Sequence, residues 1–69
     1  MKQMFIAVTD FGDNVIIVNL NRIVAIREQN YIKDGKSKKA SIIMLDTGDT
    51  IGPIKQTTKK ILQVMEQYQ

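Results

Sequence analysis

The residues best able to do chemistry are cationic. Lys55, Thr57, Thr58, Lys59 and Lys60 fall within six positions of one another, at the start of a segment whose apolar spacing is helical. The first-turn amides of a helix carry partial positive charge and prefer acidic neighbours. Lysines at the second and third helical positions, with Lys55 upstream and two threonine hydroxyls alongside, break that rule in a way a bound phosphate-like anion relieves. A second group, Tyr31, Lys33, Lys36, Lys38 and Lys39, joins one aromatic to four lysines, suited to tracking phosphates or clamping an acidic surface. Arg22 and Arg27 are the only arginines and complete the candidate set. Read structurally, the same lysines are solvated tips that keep a small protein soluble.

Other chemistry has little to draw on. There is no histidine and no cysteine, which removes disulfides and the usual structural zinc sites. The only glutamates are Glu28 and Glu66, and no glycine-rich phosphate loop is present. Asp46 with Asp49, and Asp10 with Asp13, are pairs that can hold a hard cation but that turns also require. The string Leu45-Asp46-Thr47-Gly48 resembles the catalytic loop of retroviral-type aspartic proteases, which need two such aspartates sharing a proton. Only 20 residues follow Asp49, and no second apolar-apolar-glycine segment accompanies it. The expectation is therefore no enzyme, no catalytic residue, no metal and no cofactor.

The elements that position these residues are mostly strands. Residues 40–51, A-S-I-I-M-L-D-T-G-D-T-I, hold an apolar run broken by a turn. Four consecutive apolar residues, Ile42 to Leu45, point to both faces of a strand, so both faces need cover. Residues 4–9, 15–18, 23–29 and 50–54 read as further strands, with 10–14 and 47–49 as turns. Pro53 cannot donate to a ladder, which makes the fifth strand an edge or ends it. Residues 30–39 are either a long loop or, as favoured here, an extended basic β-arm with Tyr31 and Ile32 paired. From 57 to 68 the period shifts to 3.6, with Ile61, Val64, Met65 and Tyr68 on one face and Thr57 as N-cap. The fold expected is α+β, mostly β: a five-stranded antiparallel meander with one C-terminal helix packed on one face, in a single domain over 1–69.

Size and charge then bear on partners. A chain of 69 residues buries about 60% of its surface and is marginal unaided. One helix covers one face of the meander. The uncovered face implies a homo-oligomer, a dimer or a closed ring, in preference to a monomer whose arm folds back as the cover; sheet extension at the first or fifth strand is a second route. The net charge of +3 is that of residues 33–39 alone, four lysines against Asp34, while the rest balances. No segment approaches the roughly 18 apolar residues of a membrane span, and no signal peptide is apparent, so a soluble cytoplasmic protein without membrane insertion is expected.

Phe11-Gly12, then V-N-L-N-R-I-V-A-I over 18–26, then L-D-T-G-D-T-I over 45–51, with a short helix after Thr57, together resemble the small FlbD/SwrD-type flagellar accessory proteins. That resemblance covers most of the chain and implies a strand-rich fold and a protein-docking role. The same signals are similar to the second half of LytTR-type DNA-binding domains. The chain departs from the flagellar family in its lysine-rich insertion and in Lys59-Lys60, where that family tends to be acidic. The functional expectation is a non-enzymatic homo-oligomeric binding protein that sequesters an anionic, nucleotide-like ligand or blocks an acidic protein partner, as accessory or phage-encoded inhibitors do. Flagellar-type docking is the first alternative. Non-specific nucleic-acid binding is the second; sequence-specific readout lacks a recognition helix rich in Arg, Asn or Gln.

Overall fold

The computed structural model describes residues 4–67. In chain order it contains β1 (Phe5–Thr9), β2 (Val15–Asn19), a 3₁₀ turn (Leu20–Arg22), β3 (Ile23–Lys33), β4 (Lys36–Leu45), β5 (Thr50–Ile54) and α1 (Thr58–Gln67). All strand pairs are antiparallel. The five strands and the single helix are those the hydrophobic pattern predicts.

The strands divide into a β1–β2 ribbon and a β3–β4–β5 sheet, where the sequence reading drew one meander. The break lies at the 3₁₀ turn. There the Asn19 side chain accepts from the Asn21 amide at 2.9 Å, and the Asp46 amide donates to the Arg22 carbonyl at 2.9 Å. These bonds steer the chain away from β2 before β3 begins. The two sheets meet again at the opposite end, through an Asp10↔Ile54 bridge and a 2.7 Å bond from the Lys55 amide to the Thr9 carbonyl. In space β1 therefore lies beside the end of β5.

Two of the three hairpins show plainly how local chemistry sets them. In the first, the Asp10 carboxylate accepts from the amides of Gly12 and Asn14, each at 2.9 Å, and from the Asn14 side chain at 3.2 Å. In the second, Asp34 and Gly35 have φ of 53° and 74° between the paired Lys33 and Lys36. Positive φ at both central residues is the two-residue turn whose twist matches that of the strands, and Asp-Gly is a preferred occupant. The pairing then runs back to Ile23↔Leu45 with a bulge at Val24. Residues 30–39 are thus a paired β-arm with a two-residue tip. It makes the molecule elongated, 45 × 24 × 19 Å.

The core gathers Ile6, Val8 and Val18 from the ribbon, Ile43 and Ile54 from the sheet, and Ile61 from α1, with Val64 and Met65 packed against it. Full burial of Ile43, Ile54 and Ile61 contributes roughly 1.5–3 kcal/mol each. The helical spacing of Ile61, Val64 and Met65 is as expected; Tyr68, the fourth residue of that face, lies outside the described residues.

The second face of β4 is not left open. Ile43 faces the core, while Ala40 and Ile42, on the other side, are also buried. Cover on that side comes from the chain itself. Gly52 lies so close to β4 that a Cβ there would stand 2.7 Å from the Ser41 carbonyl oxygen and 3.0 Å from Ile42 Cδ1. Phe11, from the β1–β2 loop, is buried as well and stacks on Tyr31 of β3, with centroids 4.1 Å apart. The outer face of the ribbon stays open, with Phe5, Val15 and Ile17 53%, 67% and 62% exposed, and Val24, Ile32, Leu62 and, at the end of the second face of β4, Met44 are exposed as well.

Candidate functional site

Strand alternation sorts the arm residues. Arg27↔Ile42, Gln29↔Ala40, Tyr31↔Lys38 and Lys33↔Lys36 are paired on one face. Glu28↔Ser41, Asn30↔Lys39 and Ile32↔Ser37 occupy the other. The first face therefore carries Arg27, Lys33, Lys36 and Lys38 and no carboxylate. Lys33 and Lys36 are directly opposite, a separation of about 4.5–5.5 Å between Cβ atoms, at which like charges destabilise a sheet. Lys33 finds relief within the chain by donating from Nζ to the Phe11 carbonyl at 3.0 Å. Tyr31 is covered on one side by Phe11. Lys36, Lys38 and Arg27 are exposed and face outward as a row.

The start of α1 is differently arranged. Thr57 is the N-cap: its Oγ1 accepts from the Lys60 amide at 3.3 Å, and its carbonyl from the Ile61 amide at 3.1 Å. The Thr58 hydroxyl lies 3.1 Å from Ser41 Oγ, and Ser41 in turn donates to the Gln56 carbonyl at 2.8 Å. This fastens the helix to the core-facing side of β4, the side that also carries Lys39. Lys55 Nζ is bonded to the Asp13 carboxylate. Of the five residues expected at this end, Lys55, Thr57 and Thr58 thus make structural contacts within the chain, while Lys59 and Lys60 are exposed. Arg22 sits at the far end of β3 from the arm tip, with Nε 3.7 Å from Asp46 Oδ1.

The predicted cationic set is therefore distributed over three places: the row on the arm, the Lys39 and α1 side, and the Arg22 end. The turn carboxylates are engaged as turn formers. Asp49 Oδ2 accepts from Thr47 Oγ1 at 3.1 Å, and Asp46 neighbours Arg22. Hydrogen bonds from Asn14 hold the Asp10 carboxyl below the usual range, and the hydrogen bond from Lys55 does the same for Asp13. Among the described residues no group of three or more His, Cys, Asp or Glu gathers as a metal site, and no helix is long and apolar enough to cross a membrane.

Two features of the site escaped the sequence reading. The Asp34-Gly35 dipeptide was a sufficient signal for a two-residue turn, and it places Lys33 against Lys36. Phe11 as the partner of Tyr31 had no local signal, since the contact spans 20 residues. Comparison with protein families, with curated proteins and with solved structures finds no match.

Proposed function

We propose that the protein is a non-enzymatic binding protein whose β3–β4 arm grips an anionic ligand or an acidic partner surface. The observation that carries this reading is the unopposed row of Lys36, Lys38 and Arg27 beside the Lys33↔Lys36 pair. Four cations on one face of a two-stranded arm raise its energy when free, and an anion lying across them lowers it. The Phe11–Tyr31 stack and the Lys33 bond tie the arm to the body of the molecule, so a bound ligand is held at a fixed position. The working state is a homo-oligomer, in which the ribbon faces of two copies cover each other's Phe5, Val15 and Ile17. Support for this second element is the exposure of those three side chains on one side of the ribbon.

Native mass spectrometry after gentle purification tests both elements. The expected result is a discrete oligomer carrying the mass of an anionic molecule or acidic protein, with that mass lost in the Lys36→Glu/Lys38→Glu double variant. A bare monomer from both proteins refutes the proposal. An added mass that is a heterogeneous polynucleotide, with affinity falling steeply in salt, assigns the arm to non-specific nucleic-acid binding instead. A protein-docking module of the flagellar-accessory kind draws on the same exposed ribbon face, and it predicts that Lys36 and Lys38 are dispensable.

A further inference from the structure

Among the described residues, the ladder between β1 and β2 leaves one edge of β1 partly unsatisfied. The Leu20 amide donates to Met4 and the Asp10 amide to Asn14, so the bonded pairs of this ribbon are the even-numbered residues of β1. In an antiparallel ladder the alternate residues turn both N–H and C=O away from the partner strand. Thr9 does so, and both its groups are used: its amide donates to Gln56 Oε1 at 2.9 Å and its carbonyl accepts from Lys55. Phe5 and Ala7 turn the same way, and their amides and carbonyls have no partner among the described residues.

The reason is the end of β5. Pairing of Lys55 with Thr9 starts an antiparallel ladder that, continued, would set the next residues of the chain against Ala7 and Phe5. Thr57 caps α1 at that point, and the chain turns away as a helix. What remains is a groove of about 400 Å³ between the edge of β1 and α1, walled by Phe5, Ala7, Gln56, Lys60, Ile61 and Val64. The outer edges of β2 and β3 are open too, and α1 also stands beside β3 through Thr58, Leu62 and Met65, but the groove there is smaller, about 200 Å³, and carries no charged residue among the described residues that line it.

We infer that this groove is a strand-addition site: an extended segment of a partner protein, apolar with an acidic residue, pairs with Phe5 and Ala7 and fills the place that β5 vacates. Three features select this occupant. The four unpaired main-chain groups ask for an extended backbone, which forms up to four hydrogen bonds with them. Val64, half-buried over the core residue Ile61, offers an apolar wall to alternate side chains. Lys60, the only charged residue of the lining among the described residues, calls for a carboxylate, and it disfavours a second copy of β1, which would bring a second Lys60 into the same place. The site does not depend on the arm, and it lies apart from the row of Lys36 and Lys38.

The test uses the full chain and a fluorescein-labelled peptide, Thr-Val-Thr-Glu-Thr-Val-Thr, whose valines and glutamate share the one strand face turned to α1, followed by anisotropy and by amide exchange. The expected result is saturable binding with exchange at Phe5 and Ala7 slowed at least tenfold. A peptide with lysine in place of glutamate binds at least tenfold more weakly, and Lys60→Glu, at an exposed position that leaves the core intact, reverses that order. N-methylation of alternate peptide residues abolishes binding in one phase and is tolerated in the other, because only one set of amides faces β1. Lys36→Glu/Lys38→Glu changes the affinity less than twofold, so failure here and failure of the arm are read separately. The inference is overturned if the acidic peptide does not bind, if Lys60→Glu has no effect, or if both N-methylated phases bind alike. It is also overturned if Phe5 and Ala7 become protected with rising protein concentration alone, which means that β1 pairs with itself.

Discussion

Single residues decide how much local change the fold tolerates. Gly52, with φ 140° and β4 within van der Waals range, has no room for a Cβ, whereas Gly48, with φ 91°, has open space around it. Gly52→Ala is expected to destabilise the chain by more than the roughly 1–3 kcal/mol of backbone strain alone, and Gly48→Ala by no more than that strain; urea unfolding of the two variants checks the order. The Asp10–Asn14 loop makes a pH prediction. Asp10 is held below its ordinary range by its bonds from Asn14, and Asp13 by Lys55. A carboxyl whose folded pKa is depressed stabilises the fold fully above its unfolded value and loses that contribution as pH falls through the lower folded value. Stability is therefore expected to decline below about pH 4, and Asp10→Asn with Asp13→Asn flattens the slope in acid denaturation curves. Both groups are exposed, so the effect is a change of slope and not a collapse.

At the scale of elements, the arm is the unit that carries both a structural device and the proposed function. Its pairing is set by Asp34-Gly35, and its attachment to the body by Phe11 on Tyr31 and by Lys33 on the Phe11 carbonyl. Phe11→Ala removes the stack, worth about 0.5–1.5 kcal/mol beyond burial. Amide exchange in residues 28–33 is expected to quicken more than in β1 or α1, which hydrogen-exchange NMR resolves. Lys36→Glu with Lys38→Glu places acids opposite Lys33 and Tyr31, so the free protein is expected to gain a few tenths of a kcal/mol while the proposed ligand is lost. Loss of binding is what separates a site from a merely solvated surface, because relief of the Lys33–Lys36 repulsion raises stability in either case. The helix depends on its cap: Thr57→Ala costs about 1 kcal/mol by freeing the Lys60 amide.

For the whole molecule, the question is why so small a chain holds together and what it leaves uncovered. Fastenings of several kinds join the ribbon to the sheet: the shared core, the Lys55–Thr9 bond, the Asp10↔Ile54 bridge and the Lys55–Asp13 pair. They leave the ribbon's outer side exposed at Phe5, Val15 and Ile17. If two copies meet there, Val15→Lys with Ile17→Lys yields a folded monomer, since neither side chain reaches the core, and sedimentation velocity shows the lower mass. An unchanged sedimentation coefficient would remove the dimer from the proposal.

Much of this architecture was legible without coordinates. Two-sided runs such as Ile42 to Leu45 mark buried strands, the run from Ile23 to Gln29 marks a third strand whose alternation the bulge at Val24 breaks, so that Ile23 and Ile26 both pack on the core, and the 3.6-residue recurrence of Ile61, Val64 and Met65 marks the helix. These are periodic signals within one element. The lysines of 33–39 and 59–60 are equally plain as charge, but their sidedness follows from register, and register follows from a turn two residues long. What only the tertiary structure decided involves residues far apart in sequence. Phe11 and Gly52 close over the second face of β4, which the strand pattern alone left bare. Lys33, Lys55 and Thr58 are drawn into contacts with Phe11, Asp13 and Ser41, so part of the predicted site holds the fold together. The open edge of β1 appears only because α1 starts where β5 would have continued. Local sequence sets which groups a segment must bury or satisfy; which other segment does so depends on the path of the whole chain.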